Sequence, residues 1–516
     1  MLSRRPREHL RLPARVALAG VGALALSASC TATTGPTYPV GAQPLPPPYA
    51  KIIGGIPLAC TGQVYFEGST SLCPSGITYV LCDGKGYTEY DCSPPGSGWA
   101  PESLSEYDRV ATNPTCSASS GGAGSGLSGQ VYVEANMAGP GQNAVLVFQY
   151  CNGELSSPLV GRYLTGGTGA ADLNDLGVLD ADQQVVVNAD QSLLFAVNQG
   201  SDSIAAFHIG KGGALTPVTG SPFPSGGFAP ASVGVSGNIL VVANKANDGI
   251  RPLGGEPASY ATFVIGSDGS LTPTGSTYAL AAGASPTQTY IAPGGNLVFT
   301  TEESGDFRAF QLSSSGVLTQ APGSPVALPD SLFTAPWGRQ YPVWPAGLSA
   351  SANHSVLYTG VPNNDSIAAL SFTSSGELKV LSGAFEGPLT NGAFFDLPCW
   401  SVVNADGTRL YVANAASASV SVWDIETDPQ KPIPLQTYRL AGGGNPWGLR
   451  FDPTGHLLFV IAPRQIHQVP HGQGQLLHGL RIAADGTIDD EIPGSPAPIP
   501  VPPDTNPFGV AVVATP

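Results

Sequence analysis

Charge is scarce in this chain: 11% of its 516 residues are charged, 21 basic against 37 acidic, for a formal net charge of −16. So few cations on so acidic a surface repel a phosphate backbone and anionic lipid headgroups, which excludes nucleic acid as an expected partner. Long apolar runs are missing too. The one at Val16 to Leu26 is too short to span a bilayer. There is no Gly-x-Ser-x-Gly nucleophile elbow, no phosphate-cradling glycine loop joined to a Lys, and no Cys-x-x-Cys knuckle. The signatures of a serine hydrolase, a nucleotide-binding enzyme and a zinc ribbon are therefore absent.

What is abundant is turn chemistry, with 66 Gly and 49 Pro. Without a period that composition would indicate disorder. Here it is periodic. The cleanest unit runs from Leu397 to Leu440: an alternating run at Trp400-Ser401-Val402-Val403, a turn at Asn404-Ala405-Asp406-Gly407, a return as Leu410-Tyr411-Val412-Ala413-Asn414, and two further runs, Ser419 to Ile425 and Pro434 to Leu440. Short β-branched and aromatic runs between such turns predict an antiparallel four-strand meander. The second-strand tag recurs at Leu194, Leu240, Leu297, Leu357 and Leu458, 46 to 60 residues apart, with a weaker copy at Val131 to Ala135. That is the spacing of four-stranded propeller blades. Third strands repeat at Ser203 to Ile209, Tyr260 to Ile265, Phe307 to Leu312 and Ser366 to Phe372, and fourth strands run into Gly-Ser-Pro at 220–222, 323–325 and 494–496. The first copy lacks a Pro-led first strand, whereas the chain carries a surplus one at Asn506-Pro507-Phe508-Gly509-Val510-Ala511-Val512. If that strand completes the first blade, 129–516 is an all-β, seven-bladed propeller closed by its C-terminal strand.

Ahead of it the sequence divides into four expected segments. Arg4, Arg5, Arg7, Arg11 and Arg15 before the apolar run make 1–30 a signal peptide. It resembles a bacterial lipoprotein signal with Cys30 as the acylated residue; ordinary cleavage between Ala28 and Cys30 is the alternative. Removing it leaves 16 basic and 36 acidic residues, a formal charge of about −20. A Pro-rich spacer follows at 31–56. Residues 57–116 form a small Cys-rich β module, in which Cys60, Cys73, Cys82 and Cys92 are disulfide candidates; Cys116 and Cys151 flank the Ser/Gly linker at 117–128 and could pair. Cys399 is expected to be a buried free thiol.

The unit of Pro-led strand, Asp-Gly turn, Leu-Tyr-Val-Ala-Asn, Ser-Val-Ser-Val and Gly-x-Leu-Thr-Pro resembles the lactonase family of seven-bladed propellers, the 6-phosphogluconolactonase-like group with Tyr-Val-Thr-Asn repeats. The resemblance covers 129–516 and implies the fold; for activity it implies lactone hydrolysis. In those enzymes a His commonly follows the lead Pro. Here the residues after the lead prolines are Ala231, Thr287, Ala346, Cys399, Trp447 and Phe508, so the implied catalysis has no matching ring of histidines.

Candidate site residues fall on the face where blade connections and the loops between second and third strands open. Glu302 and Glu303 are candidate bases, with Asp306 nearby, and Arg251, Arg339 and Arg464 are candidate cations. Glu302, Glu303 and Arg339 form the catalytic set, against the reading that the glutamates are solvated turn residues. Trp337, Tyr341, Trp344, Trp447 and Phe508 are candidates for stacking on a ligand, against blade-to-blade packing. His467, His471 and His478 have metal-like spacing, but Pro470 and Gly472 break the alignment, so no metal and no cofactor are expected. The expected protein is an exported, lipid-anchored monomer that binds a small molecule or a protein partner on that face. Lactone hydrolysis on a sugar or aromatic lactone, and a purely structural envelope role, are the alternatives.

Overall fold

Five of the repeated Leu-tagged second-strand segments are buried along their whole length and a sixth nearly so, because each is the second strand of a sheet sandwiched between two others. Leu193–Asn198, Ile239–Asn244, Leu297–Glu302, Val356–Val361 and Leu457–Ala462 contain no exposed residue, and Arg409–Asn414 is buried after its first. A strand covered on both faces has no reason to alternate. Fourth strands at the rim do alternate, as in Leu271–Ala279 and Ile433–Arg439. The computed structural model describes residues 127–514, apart from 157–158, 171–180, 249–254, 333–342, 352–354, 386–395, 465–473 and 503–504, together with the backbone of six short strands between Lys51 and Pro101.

Seven sheets make up 127–514, and their first strands meet in a closed circuit around a central channel. These first strands are Phe508–Ala514 (blade I), Val185–Val187 (II), Pro230–Ser236 (III), Pro286–Ile291 (IV), Leu348–Ser351 (V), Pro398–Val403 (VI) and Leu449–Phe451 (VII). Blade I is built from both ends of this region. Phe508–Ala514 pairs antiparallel with Gly129–Glu134, which pairs with Ala144–Cys151 and then Gly161–Leu164. Blades VII and I also meet farther out, where Leu155 N donates to Pro493 O at 2.8 Å. Gly494 follows with φ 81°, and a Cβ there would lie 2.0 Å from Leu155 O, so only glycine passes.

The Gly-Ser-Pro repeat has a specific task. In blades II, IV and VII the Ser Oγ accepts a third-strand backbone N–H: Ala206 to Ser221 at 2.9 Å, Ala309 to Ser324 at 3.0 Å and Gly479 to Ser495 at 3.0 Å. The Ser-Pro bonds are cis. Beyond each one the chain returns to the third strand as Phe223–Pro224, Val326–Ala327 or Ala497–Pro498.

N-terminal to the propeller, Lys51–Ile53 pairs with Ile56–Leu58 across the expected boundary at 56. Val64–Phe66, Thr78–Cys82, Tyr87–Asp91 and Ala100–Pro101 form a four-stranded antiparallel sheet within 57–116. The expected signal peptide with Cys30, and the side chains of Cys60, Cys73, Cys82, Cys92 and Cys116, lie outside the described residues. Cys151 is not a free thiol. Cys399 is the free cysteine among the described residues, and it is buried.

Val510 is buried at the closing seam, opposite Val133. Val510→Asp is expected to cost about 4 kcal/mol or more, since it trades buried apolar contact for an unpaired charge. Urea unfolding measures the loss, with Val512→Asp, on a half-buried neighbour, costing less.

Candidate functional site

Second strands end, and first strands begin, at one mouth of the channel, and the repeat tag supplies that mouth with buried polar groups. The tag's terminal Asn is structural: Asn198 Nδ2 donates to Ser203 Oγ and Asn414 Nδ2 to Ser419 Oγ, both at 3.2 Å, tying the second strand to the start of the third. Asp202 and Asp365, both with left-handed φ, hold the connection to the next blade. Asp202 Oδ1 accepts Ala229 N at 2.7 Å, and Asp365 Oδ1 accepts the backbone N–H groups of Asp396 and Leu397 at 2.9 and 3.0 Å. Burial pushes the Asp365 carboxyl up to about 7, against those two donors and with the neighbouring Asp396 adding to the rise.

The two candidate bases face different neighbours. Glu302 is buried at the end of its strand and accepts Arg308 Nε at 2.5 Å and Tyr260 OH at 3.4 Å. Arg308 lies over the Tyr278 ring, 5.9 Å from its centroid. Because Tyr260 and Tyr278 sit on the third and fourth strands of blade III, the Glu302 carboxylate lies in the seam between blades III and IV. Burial raises its pKa, with Arg308 opposing. Glu303 instead pairs with Lys245, which directly follows the second strand of blade III. Nζ and Oε1 are 2.5 Å apart, with the Lys245 side chain fully buried and that of Glu303 16% exposed. Of the two glutamates, Glu303 is the one next to an open surface. Asp306 adds a weak contact to Arg308 at 3.9 Å.

Trp447 and Phe508 are buried and pack edge-on in the wall, with centroids 5.3 Å apart, and Trp400 extends the cluster, tilted, at 5.7 Å from Trp447. In this arrangement they are core rather than a stacking surface. Trp344 is half-buried. Arg339, Trp337, Tyr341, Arg251, His467 and His471 lie outside the described residues. His478 is on the third strand of blade VII, with Nδ1 3.3 Å from Glu491, and no group of three metal-ligating side chains occurs among the described residues.

The sequence reading missed the segment leading into blade II. Ala181 O accepts Trp447 Nε1 of blade VII at 3.1 Å, Asp182 N donates to Thr287 O of blade IV at 3.2 Å, and Gln183 O accepts Val233 N of blade III at 3.0 Å. The Asp182 carboxylate accepts both terminal nitrogens of Arg450 at 3.3 and 3.2 Å, and Gln183 Oε1 accepts Gln288 Nε2 at 2.9 Å. A strand entry that reaches two blades away in both directions must cross the channel. The available signal was the length of the connection after Leu164, which exceeds every hairpin in the repeat.

Beside it, the inner seam of blades I and II holds a polar network. Asn143 Nδ2 donates to Glu134 Oε1 at 2.6 Å and to Asn198 Oδ1 at 3.0 Å, and Thr165 Oγ1 donates to Asn198 Oδ1 at 2.6 Å. Burial pushes the Glu134 carboxyl up to about 8, with the Asn143 side chain and the Asn136 backbone opposing.

No family model matches the sequence, and no curated protein matches it. Among solved structures the chain is similar to a periplasmic gluconolactonase of Pseudomonas aeruginosa, at 15% identity over 75% of this chain and 100% of that one, with a TM-score of 0.57. It is also similar to a protein of Lactobacillus plantarum (16%, 75% and 99%, TM-score 0.55) and to a proposed 6-phosphogluconolactonase of Bacteroides fragilis (14%, 76% and 100%, TM-score 0.54). At these identities the likeness defines the fold. It is that of the lactonase-like seven-bladed propellers.

The raised Glu134 pKa sets a sign for stability against pH. The native carboxyl keeps a proton that the unfolded chain, with an ordinary value of 4.5, releases earlier. Its contribution is therefore complete below about pH 4.5 and is lost as the pH rises towards 8. Glu134→Gln stays neutral throughout. Over that window the parent should lose up to about 4 kcal/mol relative to this variant in urea titrations.

Proposed function

We propose that this protein is an exported, lipid-anchored propeller that binds a small polar molecule on its loop-bearing face, beside blades III and IV. The observation that carries the reading is the Lys245–Glu303 pair. A buried ammonium is costly unless an anion holds it, and here the anion stands at the open side. Lys245 leads directly into the long connection before Ser259, and the Trp337, Tyr341 and Trp344 loop belongs to the next blade junction. A hydroxyl arriving there meets the Glu303 carboxylate, held in place by the buried Lys245 ammonium. Export and acylation at Cys30 rest on the arginine-rich start and the apolar run before Ser27-Ala28-Ser29-Cys30.

Lactone hydrolysis is the second reading, favoured by the fold shared with a periplasmic gluconolactonase. In that case Glu303, held by the buried Lys245 ammonium, activates water, with Arg339 as the candidate cation for charge developing on the carbonyl oxygen. Glu302, already committed to Arg308, holds the seam.

A panel of sugars and sugar or aromatic lactones, scored by thermal shift and by acid release, separates the readings. Binding without turnover, lost in Glu303→Gln, supports the first. Turnover that falls by about a hundredfold or more in Glu303→Gln supports the second. Shifts and rates unchanged in Glu303→Gln would exclude both from this position and favour a structural role.

A further inference from the structure

Below the crossing segment the channel is open again. A cavity of about 220 Å³ lies among Gln183, Val187, Val235, Arg450, Phe451 and Val512. Val187 and Phe451 are the last residues of their first strands, and Val235 and Val512 are near the ends of theirs. First strands start at the loop-bearing mouth, so this cavity is at the opposite end, among the hairpins. The segment 181–183 stands between it and the Lys245–Glu303 pair.

The walls decide what fits. Valines and a phenylalanine from four blades supply apolar patches between polar atoms, and the volume exceeds the ~150 Å³ of a cavity known to take benzene. One charged group stands among them. Arg450 lines the cavity and is 22% exposed, oriented by Asp182, which is 2% exposed. Asp182 uses a single oxygen, Oδ2, for both contacts, and Leu449 O takes a further Nη1 donor at 2.6 Å. A guanidinium carries five N–H donors, so this fork is fixed in direction and retains capacity for an acceptor. A buried carboxylate that holds an arginine at the wall of a cavity with apolar patches describes a site for a small ring with one anionic end.

We propose that the hairpin end of the channel is a second small-molecule site, one that takes a single-ring monocarboxylate with its ring among the valines and its carboxylate on Arg450. The site is independent of the loop-bearing face, so either assignment stands without the other.

Benzoate is the probe, titrated calorimetrically into the full chain, with benzyl alcohol as the ring without the charge. Saturable benzoate binding at millimolar concentrations is expected, with benzyl alcohol at least tenfold weaker. Val235→Phe and Val512→Phe, both at half-buried positions, fill the cavity from its wall and should each weaken benzoate at least tenfold while leaving the melting temperature unchanged. Glu303→Gln should leave benzoate binding untouched. Absence of benzoate binding, equal binding of benzyl alcohol, or undiminished binding in both phenylalanine variants would overturn the assignment.

Discussion

One antiparallel pairing, Phe508–Ala514 on Gly129–Glu134, decides whether the seven blades form a ring or an open stack. Each blade is too small to cover its own faces, so every sheet depends on two neighbours. In an open array the two end blades would each expose an apolar face. Joining the last strand to the first blade removes both exposed faces together, which is why the buried second strands can be apolar along their whole length. It also fixes the mouths of the channel, because the first strands touch their neighbours around the full circuit.

On that frame the polar residues divide into two groups. Glu302 with Arg308, Glu134 with Asn143, and Asp365 with the Asp396 and Leu397 amides close the seams and turns, where unpaired backbone or charge would be costly. Lys245 with Glu303, and Asp182 with Arg450, stand at the edges of open space. Burial alone does not separate the groups; what does is whether the partners come from packed strands or from residues bordering a mouth.

Much of the fold was legible in the sequence because a repeat states its pattern several times. The Leu-led tags gave the second strands, and the surplus Asn506-Pro507-Phe508 copy gave the closure. The candidate site was less legible. Glu302 and Glu303 are adjacent in sequence, yet strand alternation sends one into a seam and the other to Lys245, and no local pattern identifies which partner waits on each side. Trp447 and Phe508 follow lead prolines as expected, but their rings turn into the wall, an outcome set by packing against Trp400. Asp182 and Arg450 are 268 residues apart in sequence and Asp182 belongs to no repeat, so the crossing segment left no signature beyond its length.

That crossing segment has a mechanical consequence. A propeller held only by seams between neighbours is a rim without spokes: each blade can tilt while passing little of the motion across the diameter. Bonds from Ala181, Asp182 and Gln183 to blades VII, IV and III act as spokes. A load on one side of the wheel is then shared by the opposite side, and the ring keeps its round outline.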